Sequence, residues 1–240
     1  MRTAPTVALR GVRKAFPLAG GQRLEVLDVV DVELASGSWT ALSGRSGSGK
    51  TTLLNLIAGI SRPTAGSIVI DGEDIVAMTE PRRDAFRARH VGYVFQTFNL
   101  LPALSALENV MLAMMFTDAV ARREHRRRAE AILSRLGLSA RLSHSPARLS
   151  SGEQQRVAIA RALANDPPLV LADEPCASLD AQTAREVLTE FWSVCRQDGK
   201  TVLVVSHEEA ALAAAHRVLD MTGINRAVGG RASPELVRPA

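Results

Sequence analysis

The segment Gly44-Arg45-Ser46-Gly47-Ser48-Gly49-Lys50-Thr51 constrains this chain more than any other stretch. It matches the pattern G-x-x-x-x-G-K-[ST] and lies between a strand-like run and a helix-like run, the context in which that pattern has mechanical meaning. Trp39 to Ser43 reads as a short buried strand, and Thr51 to Gly59 as a helix stopped at Gly59. In such a turn successive backbone N–H groups point inward at an anion, and the helix N-terminus adds partial positive charge. Lys50 reaches the β- and γ-phosphates, and the Thr51 hydroxyl is a ligand for Mg²⁺. Arg45 and Ser46 need offer only backbone, while Gly47, Ser48 and Thr52 complete the cradle. The chain is expected to bind a nucleoside triphosphate.

At 240 residues the chain is long enough for a sizeable core. It has no apolar run of about 18 residues or more, and Met1 to Pro5 lacks the apolar core of a signal peptide, so a cytosolic protein is expected. Cys176 and Cys195 are its only cysteines, neither in a C-x-x-C pair, and both read as free thiols. Net charge is +4, with 26 arginines against 3 lysines, one of which is Lys50. The runs Arg122-Arg123 and Arg126-Arg127-Arg128 suggest a nucleic-acid patch only superficially. Ala129, Ile132, Leu133 and Leu136 follow at helical spacing, which makes the arginines a solvated helix face. Aromatics at 4% leave no base-stacking platform, so no nucleic-acid partner is expected.

Residues 7–35 are strand-rich, with a turn-prone stretch from Leu18 to Gln22 between two runs. Ser67 to Ile70 leads into Asp71-Gly72, a hairpin turn signal, and Val91 to Phe95 is another strand candidate. From about Leu104 to Ala164 the pattern is helical, with breaks at Gly137, at Ser143 to Pro146 and at Ser151-Gly152. Then α/β alternation returns: Leu169 to Ala172, a helix from about Ala181 to Arg196, Thr201 to Val205, and a helix from about Glu208 to His216. Near-continuous apolar runs are what parallel strands covered on both faces require. The fold class predicted is α/β, a P-loop NTPase core of mixed sheet flanked by helices, with an antiparallel β subdomain and an inserted α-helical subdomain.

A second chemical signal is the apolar run Leu169 to Ala172 delivering Asp173 and Glu174 to its C-terminal edge, where ligands sit in open α/β sheets. Asp173 is placed to hold Mg²⁺ through its water shell, and Glu174 to polarise a water for in-line attack on the γ-phosphate. A third is Leu149-Ser150-Ser151-Gly152-Glu153, leading into the helical Val157 to Leu163. Either Ser150 or Ser151 serves as N-cap there, with Glu153 or Gln154 completing a capping box. It is also a second anion cradle, which suggests service to a nucleotide bound by another copy.

With these motifs in this order, the chain resembles the nucleotide-binding subunit of an ATP-binding-cassette transporter from about residue 7 to 221. The resemblance implies one nucleotide-binding domain over residues 1–240, with 1–95 and 166–240 forming the P-loop core plus β subdomain and about 96–165 the helical subdomain. It implies ATP and Mg²⁺ as ligands and ATP hydrolysis as the reaction. Catalytic roles then fall on Glu174, His207, Gln96 and Lys50, and the metal on Thr51, Gln96 and Asp173. Gln96 ends Gly92-Tyr93-Val94-Phe95-Gln96 and reports the γ-phosphate to its loop; His207, after a buried strand, orients Glu174 and the water. Nucleotide contacts further include Phe16 as an adenine-stacking aromatic, Asp180 of Ser178-Leu179-Asp180, and Ser150 and Gly152 across a homodimer. The stretch Val94 to Pro102 through Glu108-Asn109-Val110 is most similar to lipoprotein-releasing and macrolide-efflux-type exporter ATPases, which work with a separate or fused permease. A peripheral place on the cytoplasmic face of the cell membrane follows, with the permease resting near Gln96 to Leu107. A regulatory ATPase signalling across the envelope, of cell-division type, is the alternative; a soluble DNA- or ribosome-acting relative would carry two cassettes, a coiled coil or zinc insertions.

Three departures stand out. Ser151 takes the place of a common Gly, which would restrict φ if that backbone needs a positive value. Cys176-Ala177-Ser178 replaces Thr-Gly-Asn or similar, and the segment after His216 lacks the usual Asp-Gly pair.

Overall fold

The computed structural model describes residues 6–227 and the backbone of Leu236 and Val237; Met1 to Pro5, to which the signal-peptide reading belongs, lies outside the described residues. In chain order the elements are β1 (Val7–Pro17), β2 (Arg23–Leu34), β3 (Trp39–Ser43), α1 (Lys50–Ile57), β4 (Ala65–Ile70) and β5 (Glu73–Asp74). Next come α2 (Glu80–His90), β6 (Val91–Val94), α3 (Ala106–Met114), α4 (His125–Arg135), α5 (Ser151–Leu163) and β7 (Leu169–Asp173). The last are α6 (Ala181–Gln197), β8 (Thr201–Val205), α7 (Glu209–Ala214), β9 (Arg217–Asp220), α8 (Met221–Ile224) and β10 (Leu236–Val237). The chain divides into two compact units, one of residues 1–84 and 201–240, the other of residues 85–200.

In the first unit β1 and β2 form a long antiparallel hairpin running from Val7 opposite Leu34 to Pro17 opposite Arg23. β4 lies on the other edge of β1, and β5 on β4. The buried side of β1 passes from Val7 and Leu9 to Val12, because the ladder to β4 shifts register between Arg10 and Arg13. Asp71 and Gly72 both take left-handed backbone, φ 46° and 84°, so the predicted turn joins β4 to β5 as a tight hairpin. β3 runs parallel to both β8 and β9. Every residue of β8, and Trp39 to Leu42 of β3, is buried, which explains why they are near-continuously apolar apart from Thr40 and Thr201.

In the second unit β6 and β7 pair in parallel, Val91 opposite Leu169 through Val94 opposite Ala172. Helices α3, α4 and α5 pack on one another, and α5 also packs on β6 and α6. The apolar stripe of α6, Ala184, Val187, Leu188, Phe191 and Cys195, faces inward. Cys176 and Cys195 are both buried free thiols, and burial pushes the Cys195 thiol up to about 12.

Two local features differ from the sequence pattern. Nothing in the hydrophobic pattern announces α2, whose sequence is almost wholly polar; it is held by a few specific contacts instead. Arg83 is buried and donates from Nε to the Gly59 carbonyl at 3.0 Å, and Phe86 stacks on His90 with ring centroids 4.0 Å apart. Ser151 and Gly152 are not a break but the first residues of α5, because Ser150 caps that helix.

Candidate functional site

The phosphate loop lies in the first unit. Gly44, Gly47 and Gly49 have φ of 145°, 77° and 94°, values that L side chains rarely adopt, so the loop curls where other residues would resist. At Gly49 a Cβ would also sit 2.7 Å from Leu27 Cδ2. Arg45, Ser46 and Gly47 are exposed, which leaves the rim of the loop open. Lys50, the first residue of α1, is buried, and its Nζ donates to the carbonyls of Gly44 at 2.7 Å and Arg45 at 3.1 Å. The ammonium is thus held inside the curl. Gly49 caps α1 without any side-chain hydrogen bond, so the first-turn N–H groups at Lys50, Thr51 and Thr52 have no side-chain cap. Ser48 Oγ is buried and lacks a hydrogen-bond partner. A curled backbone, uncapped donors, an enclosed cation and an orphaned hydroxyl fit a polyphosphate.

His207 also belongs to the first unit; it is exposed, directly after β8 and the buried Ser206. Phe16, on β1 opposite Leu24, is 40% exposed, and the Lys14 ammonium stands 4.9 Å from its ring centroid. The ring carries a cation contact and an exposed edge.

The second unit holds the acidic pair. Asp173 ends β7 and is buried, while Glu174 follows with φ 44°, a left-handed conformation that costs a non-glycine residue about 1 kcal/mol or more. Strain of that kind redirects a side chain at a strand end. Tyr93 on β6 has its phenol pushed up by burial and, secondarily, by the charge of Asp173. Gln96 is exposed just past β6. The chain beyond it is braced by Arg161 of α5, which donates to the Phe98 carbonyl at 2.9 Å and to that of Asn99. Burial lowers the Arg161 pKa.

The signature sits at the start of α5. Ser150 Oγ accepts from Glu153 N at 3.2 Å, and Glu153 Oε2 accepts from Ser150 N at 2.8 Å, so the capping box resolves to Ser150 and Glu153. Arg141 Nε donates to Glu153 Oε1 at 2.7 Å. That bond and the Ser150 N–H hold the Glu153 carboxyl below its ordinary value. Ser151 is not among the positive-φ residues, so a side chain there carries no backbone strain. Gly152 is required for space: a Cβ would meet Thr183 Cγ2 of α6 at 2.5 Å. Asp180 caps α6, accepting from Gln182 N at 3.1 Å and Thr183 N at 3.0 Å, and the Thr183 hydrogen bonds lower its pKa.

The loop residues and His207 thus fall in one unit, and Gln96, Ser150, Gly152, Asp173, Glu174 and Asp180 in the other. Among the described residues no three His, Cys, Asp or Glu form a metal cluster. Thr51, Gln96 and Asp173 each carry a hard oxygen, the donor type that Mg²⁺ takes. The α4 arginines are engaged with carboxylates: Arg126 with Glu130 at 2.8 Å, Arg127 with Glu124 at 2.6 Å and Arg128 with Asp166 at 3.4 Å. Sequence reasoning missed Arg141, Arg161 and Asn225, because their roles depend on partners 12 to 199 residues away.

The ABC transporter family model matches residues 27–177, more than half of the chain. The chain is 42% identical over 215 residues to the lipoprotein-releasing system ATP-binding protein LolD of Porphyromonas gingivalis, covering 90% of this chain and 95% of that one. It is 43% identical over 214 residues to the macrolide export ATP-binding/permease protein MacB of Syntrophobacter fumaroxidans, covering 89% of this chain but only 30% of that protein's length. Among solved structures, a dimeric ATP-binding cassette in a post-hydrolysis state bound to ADP and phosphate superposes with a TM-score of 0.84 at 36% identity, covering 96% of this chain and 98% of that one.

Proposed function

The chain belongs to the ABC transporter family, and from that premise we propose that it binds and hydrolyses ATP to energise a membrane permease of exporter or force-transmitting type. The observation that carries this reading is the phosphate cradle: three positive-φ glycines around a buried Lys50 at the uncapped start of α1. The names of its relatives support the transport role, and the two-unit organisation serves one nucleotide-binding domain.

The proposed chemistry is the in-line attack of water on the γ-phosphate, giving ADP and inorganic phosphate. Backbone N–H groups from Gly47 to Thr52 orient the phosphates, and Lys50 balances charge on the β- and γ-oxygens. Glu174 accepts the proton of the attacking water, and His207 orients that water and holds a γ-phosphate oxygen. Thr51, Asp173 and Gln96 would hold Mg²⁺, which supplies charge neutralisation. Phe16 offers its exposed ring to adenine. Ser150, Gly152 and Asp180 serve the nucleotide of a second copy in a homodimer. The complex works at the cytoplasmic face of the membrane, where the permease binds near Gln96 to Leu107, and it needs no nucleic acid.

Phosphate release from Mg-ATP by the purified protein tests the reading, with Lys50→Ala as the control. Turnover by the wild type and its loss in the variant are expected. A wild type that shows no ATP binding in equilibrium dialysis contradicts it.

A further inference from the structure

We propose that Asn225 is a positioning residue for the phosphate loop, aiming the Gly49 N–H at the nucleotide phosphates; this rests on the ATP-binding reading above. Asn225 is 1% exposed and follows α8, in the segment where the usual Asp-Gly pair is missing. Its Nδ2 donates to the Val26 carbonyl of β2 at 2.8 Å and to the Ser48 carbonyl of the loop at 3.0 Å. Its Oδ1 accepts from Asp28 N at 2.9 Å and Ala227 N at 3.2 Å. Two carbonyls on one side and two N–H groups on the other permit only one orientation of the amide, since the reverse would set like groups against each other.

The consequence for the loop follows from peptide geometry. In a planar trans peptide the C=O and the following N–H point in opposite directions, and the described chain has no cis bond. Drawing the Ser48 carbonyl toward Asn225 therefore turns the Gly49 N–H away from β2. That N–H precedes those of α1, and its direction decides whether the loop presents a continuous run of donors. The peptide cannot be held from the β2 side by a side chain on Gly49, because a Cβ there would lie 2.7 Å from Leu27 Cδ2 and 3.2 Å from the Val26 carbonyl. A small backbone and a polar clamp from elsewhere are the remaining solution.

The clamp is itself fixed. Asn225 N donates to the Met221 carbonyl at 2.9 Å, and Asp220 caps α8 by accepting from Thr222 N at 2.9 Å. Met221 is fully buried and packs on the opposite end of the loop, where a Cβ on Gly44 would meet its Cβ at 2.9 Å. Met221 of α8 and Asn225 just beyond it thus bracket the two ends of the phosphate loop, Gly44 by packing and Ser48 by hydrogen bond.

The test compares wild type, Asn225→Asp and Asn225→Ser by binding of a fluorescent ATP analogue, by KM and kcat, and by thermal unfolding without nucleotide. Asn225→Asp keeps the acceptor side but sets a carboxylate oxygen against two carbonyls. Its dissociation constant at pH 8 should rise about tenfold, the scale of one hydrogen bond, with the loss falling on KM more than on kcat. The defect should shrink toward pH 6, because a protonated carboxyl regains a donor, and burial raises the pKa of such a group. Asn225→Ser should shift affinity in the same direction without the pH dependence. Variants that melt earlier yet bind the analogue as tightly as wild type overturn the proposal, and so does failure of both to fold, since Asn225 would then hold the fold and not aim the loop. Wild-type protein that does not bind the analogue refutes the ATP reading instead.

Discussion

Replacing Gly152 by alanine tests whether the start of α5 is set by contact with α6. The added Cβ would lie 2.5 Å from Thr183 Cγ2, with Val187 Cγ2 next at 3.9 Å. Carbon atoms at rest approach to about 3.5–4.0 Å, so one methyl group carries nearly the whole clash. Overpacking of this kind costs about 1–3 kcal/mol, against which alanine recovers up to about 1 kcal/mol of helix propensity. A net loss of about 1–2 kcal/mol is expected for Gly152→Ala. Thr183, a half-buried residue, loses only the offending methyl in Thr183→Ser, at a cost below about 1 kcal/mol. In the double variant the remaining contacts are ordinary ones, so the pair should couple favourably by about 1–2 kcal/mol. Denaturant unfolding followed by Trp192 fluorescence in a Trp39→Phe background reads the unit that contains both sites. Additivity within about 0.5 kcal/mol would refute the steric account.

Other outcomes follow from the same coordinates. Gly49→Ala, which combines φ 94° with a 2.7 Å approach to Leu27 Cδ2, should weaken ATP binding at least about tenfold in a fluorescent-nucleotide titration; unchanged affinity would mean the loop does not need its curl. The Glu153 carboxyl is held low by Arg141 and the Ser150 N–H, so its stabilising contribution is present above the ordinary carboxylate value of about 4.3 and is lost as pH falls through the folded value. The melting-temperature advantage of wild type over Glu153→Gln should therefore narrow between pH 6 and pH 3.5, and a constant gap would contradict this. Both thiols are buried, and that of Cys195 is pushed up to about 12, so alkylation at pH 8 should track global unfolding. Rapid labelling of the native protein would show that its interior opens locally.

Much of the fold was legible because the decisive signals are local. The phosphate loop announces itself by glycine spacing, β3, β7 and β8 by near-continuous apolar runs, and the β4–β5 turn by Asp71-Gly72. The capping box at Ser150 was legible too, although the pattern alone left Ser151 as an equal candidate. What stayed hidden is long-range. α2 depends on Arg83 reaching the Gly59 carbonyl 24 residues away, a contact that no local pattern announces. Gly152 looks in sequence like a helix breaker or an anion cradle, and its packing against Thr183 emerges only once α5 meets α6. Asn225 lies 177 residues from the carbonyl it holds, in a segment that reads as a lost turn.

The most direct test of the account is light scattering of wild type and Glu174→Gln with Mg-ATP, alongside phosphate release. The account predicts that Glu174→Gln binds ATP, loses hydrolysis and accumulates as a dimer while wild type turns over. Hydrolysis by Glu174→Gln at the wild-type rate would contradict it, because Glu174 would then not be the group that accepts the proton from water.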